Sequence, residues 1–279
     1  MQTNHRNQRR LPALLVLFCS AAWAQDADQP STRQMNLIGW QEFSEFVPER
    51  IQTVLLPVGT LEPHGVLPNG SDNLAPEAMA AALADRLDAM VAPTLNYGIT
   101  GSLKAYPGAF AISEDAYRPF INDILAGLAT NQFRNIVILN GHGGPQTAVL
   151  TSESDRVSEE HRVRILVVNW WSLASEETFE VFGENGGHAG NNETAYVQAI
   201  VPEHVHPERY DEDMATAYPA RGTWHAVPFP SSIGLYEQGE GLPTFDEKQS
   251  REYFMKVNDK IAALVLDVIG KWDRAELYQ

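Results

Sequence analysis

Short apolar runs alternate with longer amphipathic segments along most of the chain. The clearest run is Ile136-Val137-Ile138-Leu139, whose uninterrupted apolar character is typical of a strand that is buried on both faces. The pattern predicts strands at 53–58, 91–95, 136–139 and 163–168, and helices at 76–90, 116–131, 147–162, 193–200 and 248–272. This alternation is typical of an α/β protein, a three-layer αβα sandwich around a mainly parallel sheet.

Two features leave alternatives open. The stretch 202–243 lacks periodicity and is rich in Pro, Gly and acidic residues. It is either a surface excursion or a loop that covers a site or packs on a neighbouring subunit. Trp170 and Trp171 directly follow the fourth predicted strand. Such a pair belongs either to the core or to the wall of a pocket for a flat substrate.

The N-terminal region has the features of an export signal. Arg6, Arg9 and Arg10 precede an apolar run at 11–22, and Ala22-Trp23-Ala24 is an A-x-A cleavage site. The run is too short for a bilayer-spanning helix, so we favour a cleaved signal over a retained anchor. We therefore expect a signal peptide at 1–24, a disordered lead at 25–34 and a single domain at 35–279. The mature protein would be exported, to the periplasm or the medium.

Charge and cysteine content narrow the partners. The formal net charge is −16, and removal of 1–24, which holds three arginines and no acidic residue, would make it −19. The one cysteine, Cys19, lies in the signal, so the mature fold would rely on its core rather than on disulfides. An acidic surface disfavours nucleic acid and anionic membranes as partners. The acidic charge does not argue against a small-molecule substrate.

A first group of metal-ligand types follows the first predicted strand. Glu62 and His64 are two residues apart, so their side chains point the same way on an extended segment. Asp72 follows after a loop rich in Gly, Pro and Asn, which can curl back. Two carboxylates and an imidazole suit a divalent metal. The alternative is a polar loop in which Asp72 caps the next helix.

Two further histidines are flanked by glycines. His142 stands in Asn140-Gly141-His142-Gly143-Gly144, at the end of a predicted strand, where open α/β sheets bind ligands. His188 is followed five residues later by Glu193, which opens a predicted helix. The alternatives are a tight turn with a capping His142, a surface position for His188 and a favourable first-turn acid in Glu193.

Together these motifs resemble those of the creatininase (creatinine amidohydrolase) family. The family's Glu-x-His-Gly followed by Leu-Pro and Asp stands here as 62–65, 67–68 and Asp72. Its Asn-Gly-His-Gly-Gly stands at 140–144, and its His-Ala-Gly-x-x-Glu-Thr at 188–194. Tyr97-Gly98 and Tyr106-Pro107-Gly108 resemble further family positions, and the similarity runs from about 55 to 200.

The resemblance implies a two-metal amidohydrolase with a creatininase-like fold, commonly a hexamer. The implied metal ligands are Glu62, His64, Asp72, His142 and Glu193, with Asp72 as the bridge. The implied proton shuttle is His188. Glu193 is implied as a metal ligand or as a residue that supports one, and as a catalytic residue. The cofactor would be two divalent ions per chain, Zn²⁺ or Mn²⁺, with Fe²⁺ as an alternative. The partner would be a second copy of the chain, in a homo-oligomer.

Three departures set this chain apart from creatininase proper. The loop between His64 and Asp72 is one residue shorter and lacks a second histidine that is often found there. Pro145 replaces the Asn that ends the glycine motif. Gly144 stands where creatininase has a metal-binding glutamate. These departures argue against creatinine as the substrate.

We therefore expect a metal-dependent amidohydrolase that cleaves a cyclic amide or related C–N bond with a metal-activated water. A metal-dependent lactonase or esterase on the same site is the first alternative. A non-catalytic binding protein on a decayed enzyme scaffold is the second, which the shortened loop and the lost Asn favour.

If the export signal is cleaved, protein recovered from the periplasm or the medium should begin near Gln25. N-terminal sequencing of that protein checks this. An intact Met1 on the exported form would show that 1–24 is not a signal peptide.

Overall fold

The computed structural model describes residues 29–278, and a four-stranded parallel sheet lies at the centre of the fold. Its strands run in the order β2-β1-β3-β4. Their bounds are β1 Thr53–Val58, β2 Ala89–Val91, β3 Asn135–Asn140 and β4 Arg164–Asn169. The signal peptide predicted at 1–24 lies outside the described residues.

Helices account for most of the remaining regular structure. They are α1 Trp40–Phe46, α2 Ser71–Leu83, α3 Glu114–Thr130, α4 Pro145–His161, α5 Trp170–Leu173, α6 Ser175–Phe182, α7 Asn191–Ile200 and α8 Glu247–Arg274. Ser113 caps α3, because its hydroxyl accepts a hydrogen bond from Ala116 N. Over residues 29–278, none of the helices combines the length and the apolar character needed to cross a bilayer.

Side chains of the central strands alternate between two separate cores. Leu55 in β1 and Val137 in β3 pack with α2, α7 and α8 on one face of the sheet. Val54 and Ile136 pack with α3 and α4 on the other face. Since both faces are covered, the interior positions of β1 and β3 are apolar without interruption. The predicted αβα sandwich is confirmed.

The stretch 202–243 contains part of a second, smaller sheet. Its strands are β5 Gly187–His188, β6 Ala215–Ala217 and β7 Ile233–Leu235, in the order β5-β7-β6. Single-turn 3₁₀ helices at Pro202–His204, Pro207–Arg209 and Glu212–Met214 precede β6. Strands of two or three residues are too short to produce a periodic pattern, so the sequence did not predict them.

The helix predicted to begin at Pro76 begins at Ser71 instead, with Pro76 inside it. Pro76 has no N–H, so the Asp72 carbonyl oxygen has no helical donor. That oxygen lies over the ends of β1 and β3, where a Cβ atom built on Gly59 or Gly141 would come within 2.1 or 2.0 Å of it. Glycine at both positions lets the first turn of α2 sit directly on the strand ends.

Two other predictions differ from the structure. The strand expected at 91–95 lies at Ala89–Val91 instead. The apolar residues after Val91 belong to a loop. The lead expected to be disordered at 25–34 is held to the domain over its described part. Gln34 pairs with Val91, and Arg33 forms ion pairs with Asp85 and Asp88.

Gly141→Ala should destabilise the fold, since its Cβ would overlap the Asp72 carbonyl. We expect a loss of about 1–3 kcal/mol in the free energy of unfolding. Chemical denaturation measures it. Gly127→Ala, inside α3 with nothing within 4 Å of the new Cβ, is the matched control and should be neutral or stabilising. Equal stability of the two variants would contradict this account.

Candidate metal centre

Six side chains from separate parts of the chain converge at the carboxyl edge of the central sheet. Loops after β1 and β3, the first turns of α2 and α7, and strand β5 each supply one or two of them. They are Glu62, His64, Asp72, His142, His188 and Glu193. The structure thus brings together every site residue that the sequence predicted.

Asp72 stands between two histidines. Its Oδ1 lies 2.9 Å from His64 Nε2, and its Oδ2 lies 2.8 Å from His142 Nδ1. Its side chain does not cap α2, because the cap residue is Gly70 and makes no side-chain cap bond. The carboxylate therefore faces the centre with one oxygen toward each histidine.

Ligand atoms group into triads around Asp72. One triad is Glu62, Asp72 and His142, and another is His64, Asp72 and Glu193. Within each, the potential ligand atoms lie within 4.8 Å of one another. Two carboxylates and an imidazole per triad suit a divalent ion such as Zn²⁺ or Mn²⁺. A third, overlapping group joins His188 to Glu62 and His64.

A backbone carbonyl anchors each of the three histidines. His64 Nδ1 donates to Glu62 O at 3.0 Å, and His142 Nε2 donates to Ile99 O at 3.1 Å. His188 Nε2 donates to Pro63 O at 2.7 Å. These bonds fix the rings and direct His64 Nε2, His142 Nδ1 and His188 Nδ1 toward the carboxylates.

The carboxylates decide which histidines are charged in the metal-free chain. Burial disfavours the charged form of His64, but Asp72 and its neighbours outweigh this and raise the pKa of His64 to about 10. Burial likewise opposes the charge on His142, and Glu62 and Asp72 hold its pKa well above the ordinary value. The same two imidazoliums hold the pKa of Asp72 below its usual range despite burial.

The pKa values of His188 and Glu193 shift in the directions that favour their neutral forms. Burial, with the neighbouring His64 charge, lowers the pKa of His188 to about 4. Burial also raises the pKa of Glu193 to about 7. Glu193 Oε2 accepts a bond from Ala189 N at 2.6 Å and lies 3.6 Å from His64 Nε2. Glu193 is therefore both a first-turn acid of α7 and part of the centre.

The centre opens into a cavity of about 320 Å³. Aromatic side chains form much of its wall: Trp171, Tyr218, Phe229 and Tyr236. Trp171 is thus a pocket residue, whereas Trp170 is buried in the core. Segment 202–243 covers the site through the other three aromatics. Sequence reasoning did not name Tyr218, Phe229 or Tyr236, and their aromatic character within a Pro- and Gly-rich stretch was the available signal.

The departures in the glycine motif have a structural basis. Pro145 is the first residue of α4, where its missing N–H costs no hydrogen bond. Gly144 has φ +61°, a conformation that side-chain-bearing residues rarely adopt. A Cβ there would meet nothing within 4 Å, so the cavity has free space at this position.

The family model for creatinine amidohydrolase matches residues 36–265. This match covers most of the chain, and the ligand motifs predicted from the sequence lie together in one centre. The chain therefore belongs to the creatininase family, as its motifs suggested.

Curated relatives are named as hydrolases. The chain is 28% identical to the 3-dehydro-scyllo-inosose hydrolase of Thermotoga maritima over 56% of its own length and 52% of that enzyme. It is 26% identical to the creatinine amidohydrolase of Pseudomonas putida, over 64% of this chain and 76% of that enzyme. A mycofactocin precursor peptide peptidase of Mycobacterium ulcerans is 28% identical, over 60% and 65%. The match thus spans about half the length of the Thermotoga enzyme.

Solved structures share the fold. A mutant creatininase of the Zn-Zn type superimposes with a TM-score of 0.72 and 22% identity, over 85% of this chain and 98% of that one. A manganese creatininase gives 0.67 and 23%, over 88% and 99%. The predicted creatininase-like fold is confirmed, and these two neighbours hold the metals that the sequence predicted.

Metal binding should release protons from this centre. His64 holds its proton up to a pKa of about 10 in the metal-free chain, so at neutral pH an ion must displace it. Metal affinity should therefore rise as the pH rises through neutrality toward that value. Calorimetric titration of the metal-free protein with Zn²⁺, in buffers of different ionisation enthalpy, measures the released protons. Binding heats that are the same in every buffer would contradict this.

Proposed function

We propose that this protein is a metal-dependent amidohydrolase that holds two divalent ions per chain and cleaves an amide or related C–N bond. The observation that carries the proposal is the position of Asp72, whose two oxygens face His64 and His142 in adjoining triads. The named amidohydrolase and peptidase relatives support amide hydrolysis.

The donor set fits two ions. Glu62, Asp72 and His142 would hold one, and His64, Asp72 and Glu193 the other. Bound there, a divalent ion supplies Lewis acidity, which lowers the pKa of a water and polarises a carbonyl. The carboxylates offset the added positive charge, and the anchored histidines keep the ligand atoms in place.

His188 is suited to move a proton. Its Nε2–H is held by Pro63 O, so Nδ1 carries the free lone pair and is the nitrogen that can exchange a proton. Nδ1 lies 3.6 Å from Glu62 Oε1 and 3.9 Å from Glu193 Oε2, and His188 lines the cavity. A neutral imidazole there can take a proton and pass it to the departing nitrogen. Glu193 would assist by accepting from Ala189 N and holding that loop.

A screen of the zinc- or manganese-loaded protein tests the activity. The panel should hold cyclic amides, short peptides, the matching lactones and a polyhydroxylated cyclic ketone. We expect turnover of amides, and loss of turnover after chelation. Faster turnover of lactones would favour the esterase alternative, and stoichiometric metal without turnover of any member would favour a binding protein.

His142 and His188 should give different signatures when each is replaced by alanine. His142→Ala should lower the metal content, because a ligand is lost. His188→Ala should keep its metal and lose turnover by about a hundredfold or more, with one limb of the pH–rate profile. Metal analysis and steady-state kinetics measure both.

His161→Ala is the matched control, since His161 is exposed at the end of α4. It should leave metal content and turnover unchanged. Loss of metal from His188→Ala as well would make His188 a ligand in the group with Glu62 and His64, and another residue would have to carry the proton.

A further inference from the structure

Two tyrosine hydroxyls from segment 202–243 line the cavity without a partner. Tyr218 follows β6, and Tyr236 follows β7. Within residues 29–278, neither hydroxyl has a hydrogen-bond partner, although Tyr218 N donates to Leu235 O and so fixes the backbone. Tyr218 is 42% exposed and faces the cavity, so a molecule that enters can reach it.

The backbone of β7 lies between the Tyr218 ring and the strand that carries His188. Gly234 pairs with His188 across the small sheet. A Cβ on Gly234 would lie 2.7 Å from Tyr218 Cζ and 2.8 Å from its hydroxyl oxygen, so the phenol rests directly on this glycine. The ring therefore lies one strand away from the proposed proton carrier.

Aromatic side chains also pack against the Tyr218 ring. Phe229 packs on Tyr218 with ring centroids 5.2 Å apart, and Trp224 stacks on Phe229 at 5.9 Å. Tyr106 donates its hydroxyl hydrogen to Phe229 O at 2.9 Å and so ties these aromatic side chains to the loop after β2. Tyr218 thus packs against a glycine and against an anchored aromatic ring.

Few neutral side-chain donors line the cavity. No lysine or arginine is among the described residues that line it, so these donors are the hydroxyls of Ser102, Tyr218 and Tyr236 and the indole N–H of Trp171. Partial burial of the phenol against Phe229 raises the pKa of Tyr218, and the carboxylates of Glu193 and Glu62 raise it further. The phenol therefore keeps its hydrogen at neutral pH and acts as a donor.

We propose that Tyr218, positioned by Gly234, donates a hydrogen bond to an acceptor oxygen of the substrate and thereby determines specificity. This rests on the proposed function, because it assumes that substrates bind at the metal centre. The chemical class that it selects is a molecule with a carbonyl or hydroxyl oxygen near the scissile bond.

The test uses the zinc-loaded protein and acetohydroxamic acid, an amide analogue that chelates zinc through its two oxygens as the hydroxamate anion. Calorimetry gives its dissociation constant for the wild type, Tyr218→Phe, Gly234→Ala and the double variant. Loss of a single hydrogen bond should weaken binding about fivefold to tenfold in Tyr218→Phe, with zinc content unchanged. Gly234→Ala should weaken it similarly, and should add no further loss in the Tyr218→Phe background.

Tyr210→Phe is the matched control, because its buried hydroxyl lies in the same segment but outside the cavity lining. It should bind as the wild type does. Unchanged affinity of Tyr218→Phe, or a loss in Tyr236→Phe alone, would overturn the assignment while leaving the proposed function standing. A wild type that binds neither zinc nor the hydroxamate would instead overturn the proposed function, and this proposal with it.

Discussion

The shared carboxylate of Asp72 is the constraint on which the rest of the centre depends. It must reach His64 and His142, which follow different strands, and so the first turn of α2 has to lie over both strand ends. Gly59 and Gly141 permit this approach because each would otherwise place a Cβ against the Asp72 carbonyl. Pro76 leaves that same carbonyl without a helical donor. Two glycines directly after the strands and a proline in α2 thus allow the Asp72 carboxylate to reach both histidines.

Charge balance couples this arrangement to metal loading. Three buried carboxylates in close proximity would repel one another if none were compensated. In the metal-free chain, protons on His64 and His142 supply the positive charge. Divalent ions would replace those protons and supply more charge than they remove. The potential ligand atoms therefore lie close together in the metal-free chain, before an ion binds.

The sequence predicts the features of this structure that depend on neighbouring residues, and it misses those that depend on contacts between distant parts of the chain. Val54 and Ile136 lie in runs that are apolar because both faces of the sheet are covered, so strands and layers could be predicted locally. The ligands could be predicted because they follow strand ends in motifs. The start of α2 could not, since Pro76 indicated a first turn and the actual start is set by packing of Asp72 on Gly59. Tyr218 was also missed, because its place depends on the distant pairing of Gly234 with His188.

One departure from the creatininase motifs bears on the shape of the cavity. The resemblance implies a metal-binding glutamate at the position of Gly144, whereas here Glu193 groups with His64 and Asp72, with its Oε2 3.6 Å from His64 Nε2. The position left by the missing side chain adds free space to the cavity. Trp171, Tyr218 and Tyr236 then define the shape of that space. Under the proposed function, the carboxylates and histidines of the centre would carry the hydrolytic chemistry, and the aromatic side chains of the cavity wall would determine which substrates fit.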